Sequence, residues 1–231
     1  MKLRRAQDRG HAEHGWLNSW HSFSFAEYYD PEHLGFRALR VINDDTVEPG
    51  RGFGLHGHRD MEIVSYVLEG GLAHMDSTGS GSTIRSGSVQ RMSAGTGIQH
   101  SEFNASQGEK VHFMQFWFLP NKTGISPGYE ERHFSEAEKR GRLRLVASPD
   151  GAGGSSRIQA AAKMFAGLVD GEERVEHVAD EGNFIYVHVA RGAVSLNGTP
   201  LQAGDGAKFT GERRIVLDHG REAEVLVFEL T

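Results

Sequence analysis

The sequence contains no cysteine among its 231 residues. Without thiols the chain can form no disulfide, no thiolate zinc site and no cysteine nucleophile. Any bound metal ion must therefore be held by nitrogen and oxygen atoms. Long apolar runs are absent too, since the longest apolar window, residues 111–120, is about half the length that a membrane-spanning helix needs. The charged N-terminus has no apolar stretch behind it, so we expect a cytoplasmic protein without a membrane partner.

Positive charge is outnumbered, with 25 lysine and arginine residues against 31 aspartate and glutamate residues. The formal net charge is -6, and the basic residues form only short clusters, at residues 2–5 and 139–142. A protein that binds nucleic acid directly needs a continuous basic surface to neutralise phosphates. The sequence therefore disfavours direct binding to nucleic acid.

Helical periodicity is weak, and glycine is abundant. Thirty glycines separate short apolar stretches, a pattern typical of strands joined by tight turns, so the predicted class is all-β. We predict strands at residues 36–44, 61–70, 71–77, 88–94, 111–119, 142–148, 183–192, 193–198 and 223–230. The strongest helical signal is at residues 129–141, where we expect Ser135 to cap a short helix that Gly141 ends.

An internal repeat indicates two related domains. When Gly70 is aligned with Gly192, and Gly87 with Gly204, each half reads as strand, glycine turn, short hairpin, glycine and strand. We therefore predict two β-barrels, at residues 1–138 and 139–231. The positions opposite His56, His58, Glu62 and His100 in the second copy are Val178, Asp180, Phe184 and Leu217. The second barrel should therefore hold no metal, and we expect one metal ion per chain.

Two pairs of polar residues in the first half suit a metal site. His56 and His58 are two residues apart, as are His100 and Glu102. Residues two apart on a strand point to the same side, about 6.6 Å from each other along the chain. An isolated pair of this kind is more often a polar strand end, but two pairs beside glycine turns can supply three imidazoles and one carboxylate. Such ligands suit divalent Fe, Mn, Co, Ni, Cu or Zn and leave positions free on a six-coordinate ion.

Glu62 is the alternative carboxylate. It shares the parity of His56 and His58 but lies four residues beyond His58, about 13 Å along a straight strand. Glu62 reaches the same ion only if the chain bends sharply, so Glu102 is the preferred ligand. Two other interpretations of Glu62 remain. It could form a hydrogen bond to a metal ligand, or it could be a polar residue at the mouth of the barrel.

These motifs resemble those of the cupin superfamily. Residues 9–31, 39–45, 56–70 and 92–104 resemble the pirin family in particular, and within it the bacterial members described as quercetin 2,3-dioxygenases. The resemblance implies two cupin barrels, the second of them degenerate. It also implies a metal bound by His56, His58, His100 and Glu102. Fe(II) is the ion we expect, with Zn, Mn, Co, Ni and Cu as alternatives.

The resemblance implies two classes of function. The first is a metal-dependent dioxygenase that opens the heterocyclic ring of a flavonol such as quercetin with O2 and releases CO. Glu102 would then be catalytic and take the proton of the flavonol 3-hydroxyl. The second is a metal-responsive or redox-responsive regulator that acts through a protein partner. Eukaryotic pirins are regarded as iron-dependent co-regulators of this kind. Oxygen uptake with quercetin separates the two classes.

The first thirty residues are rich in histidine and aromatic side chains. His11, His14 and His21 occur among Trp16, Trp20 and Phe23. These residues could form a second metal site or an aromatic binding site. We favour a structural role, because an aromatic N-terminal segment commonly covers the open edge of a sheet.

Overall fold

The computed structural model describes residues 1–231 and consists almost entirely of β-strands, which confirms the predicted class. The strands are β1 (Lys2–Arg4), β2 (Gly10–Glu13), β3 (Leu17–His21), β4 (Leu39–Val47), β5 (Gly52–His58), β6 (Glu62–Glu69), β7 (Gly71–Asp76), β8 (Gly81–Arg85), β9 (Ser88–Ser93), β10 (Ile98–Asn104), β11 (Val111–Phe118), β12 (Gly128–His133), β13 (Leu143–Ser148), β14 (Ser156–Arg157), β15 (Ala162–Gly171), β16 (Val175–Val178), β17 (Phe184–Leu196), β18 (Thr199–Gln202), β19 (Gly206–Phe209) and β20 (Arg214–Leu230).

The single α-helix, α1 (Glu136–Lys139), begins where the sequence predicts. Ser135 is its N-cap and forms a reciprocal capping box with Glu138. Gly141 follows the helix with φ +63°, a left-handed conformation that glycine adopts without strain. Two 3-10 turns, Ala6–Asp8 and Ala152–Gly154, complete the helical structure. None of these helices has the length and apolar character required to cross a membrane.

The chain divides into two compact units. The N-terminal unit comprises Gly10–His133 and Ser156–Ala160, and the C-terminal unit comprises Met1–Arg9, Phe134–Ser155 and Ala161–Thr231. The main boundary therefore lies after residue 133 rather than the expected 138. Two short segments belong to the unit that is distant from them in sequence. Residues 1–9 join the C-terminal unit, where β1 pairs with β19. Residues 156–160 join the N-terminal unit, where the Gln159 amide donates to Glu62. Such long-range pairings leave no local signal in the sequence.

The N-terminal unit contains two antiparallel sheets. One has seven strands in the order β12-β9-β6-β11-β4-β3-β2, and the other has four in the order β5-β10-β7-β8. β2 and β3 extend the larger sheet beside β4, as expected of a segment that covers a sheet edge. One buried apolar cluster, which includes Val67, Leu72 and Phe113, draws on both sheets. A second buried apolar cluster comprises Ile63, Met92, Ala94 and Ile98. Polar and aromatic side chains elsewhere in this unit form the site described below.

The C-terminal unit has a different interior. Its strands follow the order β1-β19-β17-β20-β15-β13, with β16 beside β20 and β18 beside β17. Sixteen buried apolar residues form one cluster, among them Val187, Leu217 and Val227. Close packing of this kind leaves little room for a ligand. The second unit is therefore stabilised by an ordinary hydrophobic core.

Candidate metal centre

Pairing between β5 and β10 places the histidines. His100 lies opposite His56, and Ile98 lies opposite His58. Because alternate residues of a strand share a face, His56, His58 and His100 point to one side of the four-stranded sheet. Residue spacing accounts for the shared face of His56 and His58, and the pairing of β5 with β10 brings His100 beside them.

The three imidazoles lie close enough together to share one ion. Their ring centroids are 4.4 Å apart for His56 and His100, and 4.9 Å apart for each pair that includes His58. One nitrogen from each ring lies within 4.8 Å of the other two. Three neutral imidazole nitrogens at such distances form a donor set for a divalent transition metal.

Two of these rings, His56 and His100, have a nitrogen atom whose lone pair is available to a metal. His56 Nδ1 donates to the Gly54 carbonyl oxygen over 2.8 Å, so its Nε2 keeps its lone pair. His100 is buried, and its Nε2 has no hydrogen-bond partner. A buried polar atom without a partner costs free energy, and a metal ion would remove that cost. The residues present therefore fit a metal with nitrogen and oxygen ligands.

A fourth histidine, His74, lies beside His100. His74 Nε2 donates to Asp76 over 3.0 Å, and His74 Nδ1 accepts from Gln90 Nε2 over 2.9 Å. His74 Nδ1 also lies 3.5 Å from His100 Nδ1, but Gln90 already engages the one lone pair of His74 Nδ1. This longer contact therefore orients the His100 ring without fixing its tautomer. Metal-binding histidines are commonly oriented through their second nitrogen in this manner.

The electrostatic surroundings keep two of the imidazoles neutral. Burial and the neighbouring His56 lower the pKa of His58 to about 4. Burial, followed by the charges of the surrounding histidines, lowers the pKa of His100 to about 3. Only a neutral imidazole can donate its lone pair to a metal. Protons therefore compete poorly for His58 and His100 near pH 7.

Glu102 is held in place by a chain of hydrogen bonds. Trp117 Nε1 donates to Gln115 Oε1 over 2.9 Å, which orients the amide so that Gln115 Nε2 donates to both oxygens of Glu102, over 3.2 and 3.0 Å. Burial raises the pKa of the Glu102 carboxyl above its usual value. A carboxylate oxygen of Glu102 lies within 4.8 Å of nitrogens of His74 and His100. Glu102 is thus a fixed carboxylate of raised pKa beside His74 and His100, and it does not belong to the group that His56, His58 and His100 form.

Glu62 has a different environment. Its carboxylate accepts hydrogen bonds from Ser93 Oγ and from the Gln159 amide, each over 3.0 Å. Burial is the main cause that raises its pKa. Glu62 is absent from both groups of side chains that lie close enough to share a metal. Its observed partners therefore favour Glu102 as the carboxylate of the centre.

A cavity of about 580 Å³ opens beside the imidazoles. Its aromatic walls include two edge-to-face pairs, Trp117 with Phe25 and Trp16 with Phe53, whose centroids are 5.4 and 5.3 Å apart. Polar side chains also line it, namely His14, Ser19, His21, Asn43, Asp45, His56, His58, Glu102 and Gln115. The N-terminal segment therefore contributes cavity walls as well as a cover for the sheet edge. A cavity of this size and character suits a planar aromatic molecule.

Sequence reasoning missed several polar residues of this region. His74 and Asp76 form an alternating pair on β7 that resembles the pairs His56/His58 and His100/Glu102. Gln115 and Asp45 lie within strands, and nothing local distinguishes them from core positions. The spacing of His74 and Asp76 could have been noticed, whereas Asp45 and Gln115 required the pairing of distant strands.

The second copy offers no comparable site. Both groups of side chains close enough to share a metal lie in the N-terminal unit. At the corresponding positions, Val178 is 55% exposed, Leu217 is buried in the core, and Asp180 accepts a hydrogen bond from Lys163 over 2.6 Å. Two of these positions are thus apolar, and the third is held by a lysine ion pair.

Comparisons with known proteins agree with this arrangement. A family model described as Pirin matches residues 2–118, and one described as the quercetinase C-terminal cupin domain matches residues 145–230. Quercetin 2,3-dioxygenase of Escherichia coli K12 is 45% identical over 229 residues, which span 99% of this chain and 97% of the relative.

Solved structures extend the comparison to three dimensions. The crystal structure of Escherichia coli YhhW has a TM-score of 0.94 at 44% identity, and the match covers 100% of this chain and 97% of that one. A second structure, described as bacterial pirin YhhW in complex with nickel(II), has a TM-score of 0.93 at 44% identity and covers 99% and 98% of the two chains. The centre in this chain accordingly supports a divalent metal, and the fold is that of a two-domain cupin. The motifs of the N-terminal half and these matches together show that the chain belongs to the pirin family.

Proposed function

We propose that this protein is a metal-dependent dioxygenase that opens the heterocyclic ring of a flavonol with O2 and releases CO. The observation that carries the proposal is the cluster of His56, His58 and His100, in which His100 Nε2 is buried and has no partner. His56 and His58 of this cluster line an aromatic-walled cavity together with Glu102. The name of the Escherichia coli relative, quercetin 2,3-dioxygenase, supports the same reaction class.

The proposed ligands of the metal are His56, His58, His100 and Glu102. Nitrogen and oxygen donors of this kind accept several divalent ions, and a relative has been solved with nickel(II). Fe(II) remains our expected ion. When bound, the ion would supply Lewis acidity toward the flavonol oxygen and a route for electrons to O2.

The aromatic walls would orient the flavonol. Trp117 and Phe25 lie on the side of His58, whose ring centroid is 4.9 Å from that of Trp117, and Trp16 and Phe53 form a second edge-to-face pair. Flat aromatic rings pack favourably against such walls, and the walls also exclude water. A dry pocket strengthens the interaction between the bound anion and the charges around it.

Glu102 is the proposed base. Its raised pKa makes the carboxylate a better proton acceptor than an exposed glutamate, and Gln115 holds both of its oxygens. In the proposed reaction Glu102 accepts the proton of the flavonol 3-hydroxyl, which makes the flavonol electron-rich before it meets O2. No other carboxylate lies in either candidate metal group.

The proposed reaction is tested by measuring O2 uptake and CO release together. Protein loaded with Fe(II), Ni(II) or Mn(II) is mixed with quercetin, and one CO is expected for each O2 consumed. A His56→Ala/His58→Ala double variant is the control for turnover by free metal. Stoichiometric CO from the wild type alone would support the reaction, whereas equal rates in both proteins would refute it. O2 uptake without CO would also refute ring opening of this type.

The number of ions per chain is tested separately by elemental analysis after dialysis. We expect one equivalent, because both candidate groups include His100 and the second unit has an apolar core. Two retained equivalents, or full occupancy in the double variant, would contradict the assignment.

A further inference from the structure

A second carboxyl group lines the cavity and has no part in the proposed metal centre. Asp45 lies in the middle of β4, opposite Ser19 on β3 and Phe113 on β11. Its side chain belongs to the seven-stranded sheet, whereas His56, His58, His100 and Glu102 belong to the four-stranded sheet. Groups from two different sheets therefore line one cavity.

Asp45 is only partly satisfied by its protein neighbours. The residue is 3% exposed, and Ser19 Oγ donates to its Oδ1. The other oxygen, Oδ2, makes no hydrogen bond within the chain. Taking a carboxyl group out of water is costly unless hydrogen bonds replace those to the solvent. The structure thus retains a carboxyl oxygen without a protein hydrogen bond in the wall of a cavity that aromatic and polar side chains line together.

The chemistry of this position suits a hydroxyl group. A phenolic hydroxyl forms a hydrogen bond with a carboxyl group in either protonation state and adds no charge to an apolar cavity. Ser19 already fixes the direction of the carboxyl group, so little conformational freedom would be lost when a ligand binds. Specificity generally arises in this way, from a few placed polar groups within apolar walls.

We propose that Asp45, oriented by Ser19, binds a second hydroxyl group of an aromatic ligand, distinct from the hydroxyl that faces the imidazoles. This proposal rests on the proposed function and adds a basis for specificity to it. The cavity would favour aromatic molecules with several hydroxyl groups over those with one. Asp45 would then be a specificity-determining residue, and Ser19 a positioning residue that acts through it.

The test compares two ligands with the same ring system. Quercetin carries hydroxyl groups on all parts of its skeleton, and 3-hydroxyflavone carries only the one that faces the metal. Binding of each to Ni(II)-loaded protein is measured without O2, by quenching of the cavity tryptophans and by calorimetry. The variants are Asp45→Ala, Asp45→Asn and Ser19→Ala. Asp44→Asn is the matched control, because Asp44 is the preceding residue on the strand and is hydrogen-bonded to His112 instead.

The expected result is selective. Asp45→Ala should raise the Kd for quercetin about tenfold or more, the usual effect of losing a hydrogen bond to an ionisable group, and leave the Kd for 3-hydroxyflavone unchanged. Asp45→Asn keeps an acceptor and the shape, so its loss should be smaller, and it serves as the folded variant if Asp45→Ala is unstable. Ser19→Ala should weaken quercetin binding in the same selective manner.

Two results would overturn the proposal. Equal weakening of both ligands would make Asp45 a structural residue, and unchanged quercetin binding would show that it does not contact the ligand. The proposed reaction fails in a distinguishable way, since a wild type that binds both flavonols but releases no CO would refute the reaction while the selective effect of Asp45 still stands. A wild type that binds neither flavonol would refute both.

Discussion

Replacing Asp45 with asparagine should change the dependence of stability on pH in the N-terminal unit. Burial raises the pKa of Asp45 from 3.8 to about 7. The charges of Asp44 and Glu102 also raise this pKa, whereas the Ser19 hydrogen bond lowers it. Between these values the folded protein binds a proton that the unfolded chain releases. Folding stability therefore falls as the pH rises from about 4 to about 7, and the loss is complete above pH 7.

The magnitude follows from the size of the shift. A difference of about three pKa units, at 1.36 kcal/mol for each unit, corresponds to about 4 kcal/mol. The asparagine side chain of the Asp45→Asn variant would carry no charge at any pH but could still accept the hydrogen bond from Ser19. The stability of Asp45→Asn relative to the wild type should therefore increase by about 1.4 kcal/mol for each pH unit between 4 and 7, and remain constant at higher pH.

Urea denaturation of the metal-free proteins, followed by tryptophan fluorescence, measures this effect. All three tryptophans, Trp16, Trp20 and Trp117, lie in the N-terminal unit, so the signal reports that unit. His58 and His100 have lowered pKa values and produce the opposite slope, since the unfolded chain binds more protons below pH 6.5. Their contribution cancels when the unfolding free energy of the wild type is subtracted from that of the variant at each pH. A difference that does not vary with pH would refute the reasoning about Asp45.

Three further predictions concern the metal centre. Glu102→Gln should keep much of its metal through the three histidines but lose flavonol turnover by about a hundredfold or more, as measured by O2 uptake on a preparation of known metal content. Glu62→Gln, the matched control, should keep turnover, and the reverse pattern would transfer the role to Glu62. His74→Ala should lower metal affinity by about 10- to 100-fold in competition with a chelator, because His100 loses its partner, and unchanged affinity would contradict that role. Leu217→His should leave the metal content at one equivalent, because a single imidazole does not form a site in the second unit, and a second tightly held ion would contradict this.

The sequence predicts the parts of the site that depend on neighbouring residues. The alternation of His56 with His58 sets the direction of both side chains, and the structure places them on one face with His100. The assignment of these residues and Glu102 as ligands stays a prediction. Asp45 could not be found in this way, because it approaches the cavity only through the order of strands β2, β3 and β4 in the larger sheet.

The fold was likewise predictable where strands carry an obvious signal. β6, β9 and β11 match their predicted ranges to within about one residue, whereas β15 was missed because its alanines and glycines lack the β-branched pattern. Gly167 in β15 does not lie in a turn. Glycine is required there because the backbone at Arg142 packs closely against it, and a Cβ atom would lie 2.9 Å from the Arg142 carbonyl oxygen. Constraints of this type arise only after distant strands have paired.

The irregular pairing between β5 and β10 has a consequence for how such a site could arise or be lost. His100 pairs with His56, but Glu102 pairs with Phe53, so β5 carries one more residue than β10 between these pairs. That extra residue turns Phe53 toward the cavity and leaves Leu55, 70% exposed, on the outer face. It also lets the Gly54 carbonyl accept the His56 hydrogen. Deleting a single residue between Phe53 and His56 would give a more regular ladder, yet it would remove an aromatic wall and disturb the orientation of an imidazole in one event. The arrangement of the site therefore depends on one extra residue in β5 as much as on the identity of its side chains.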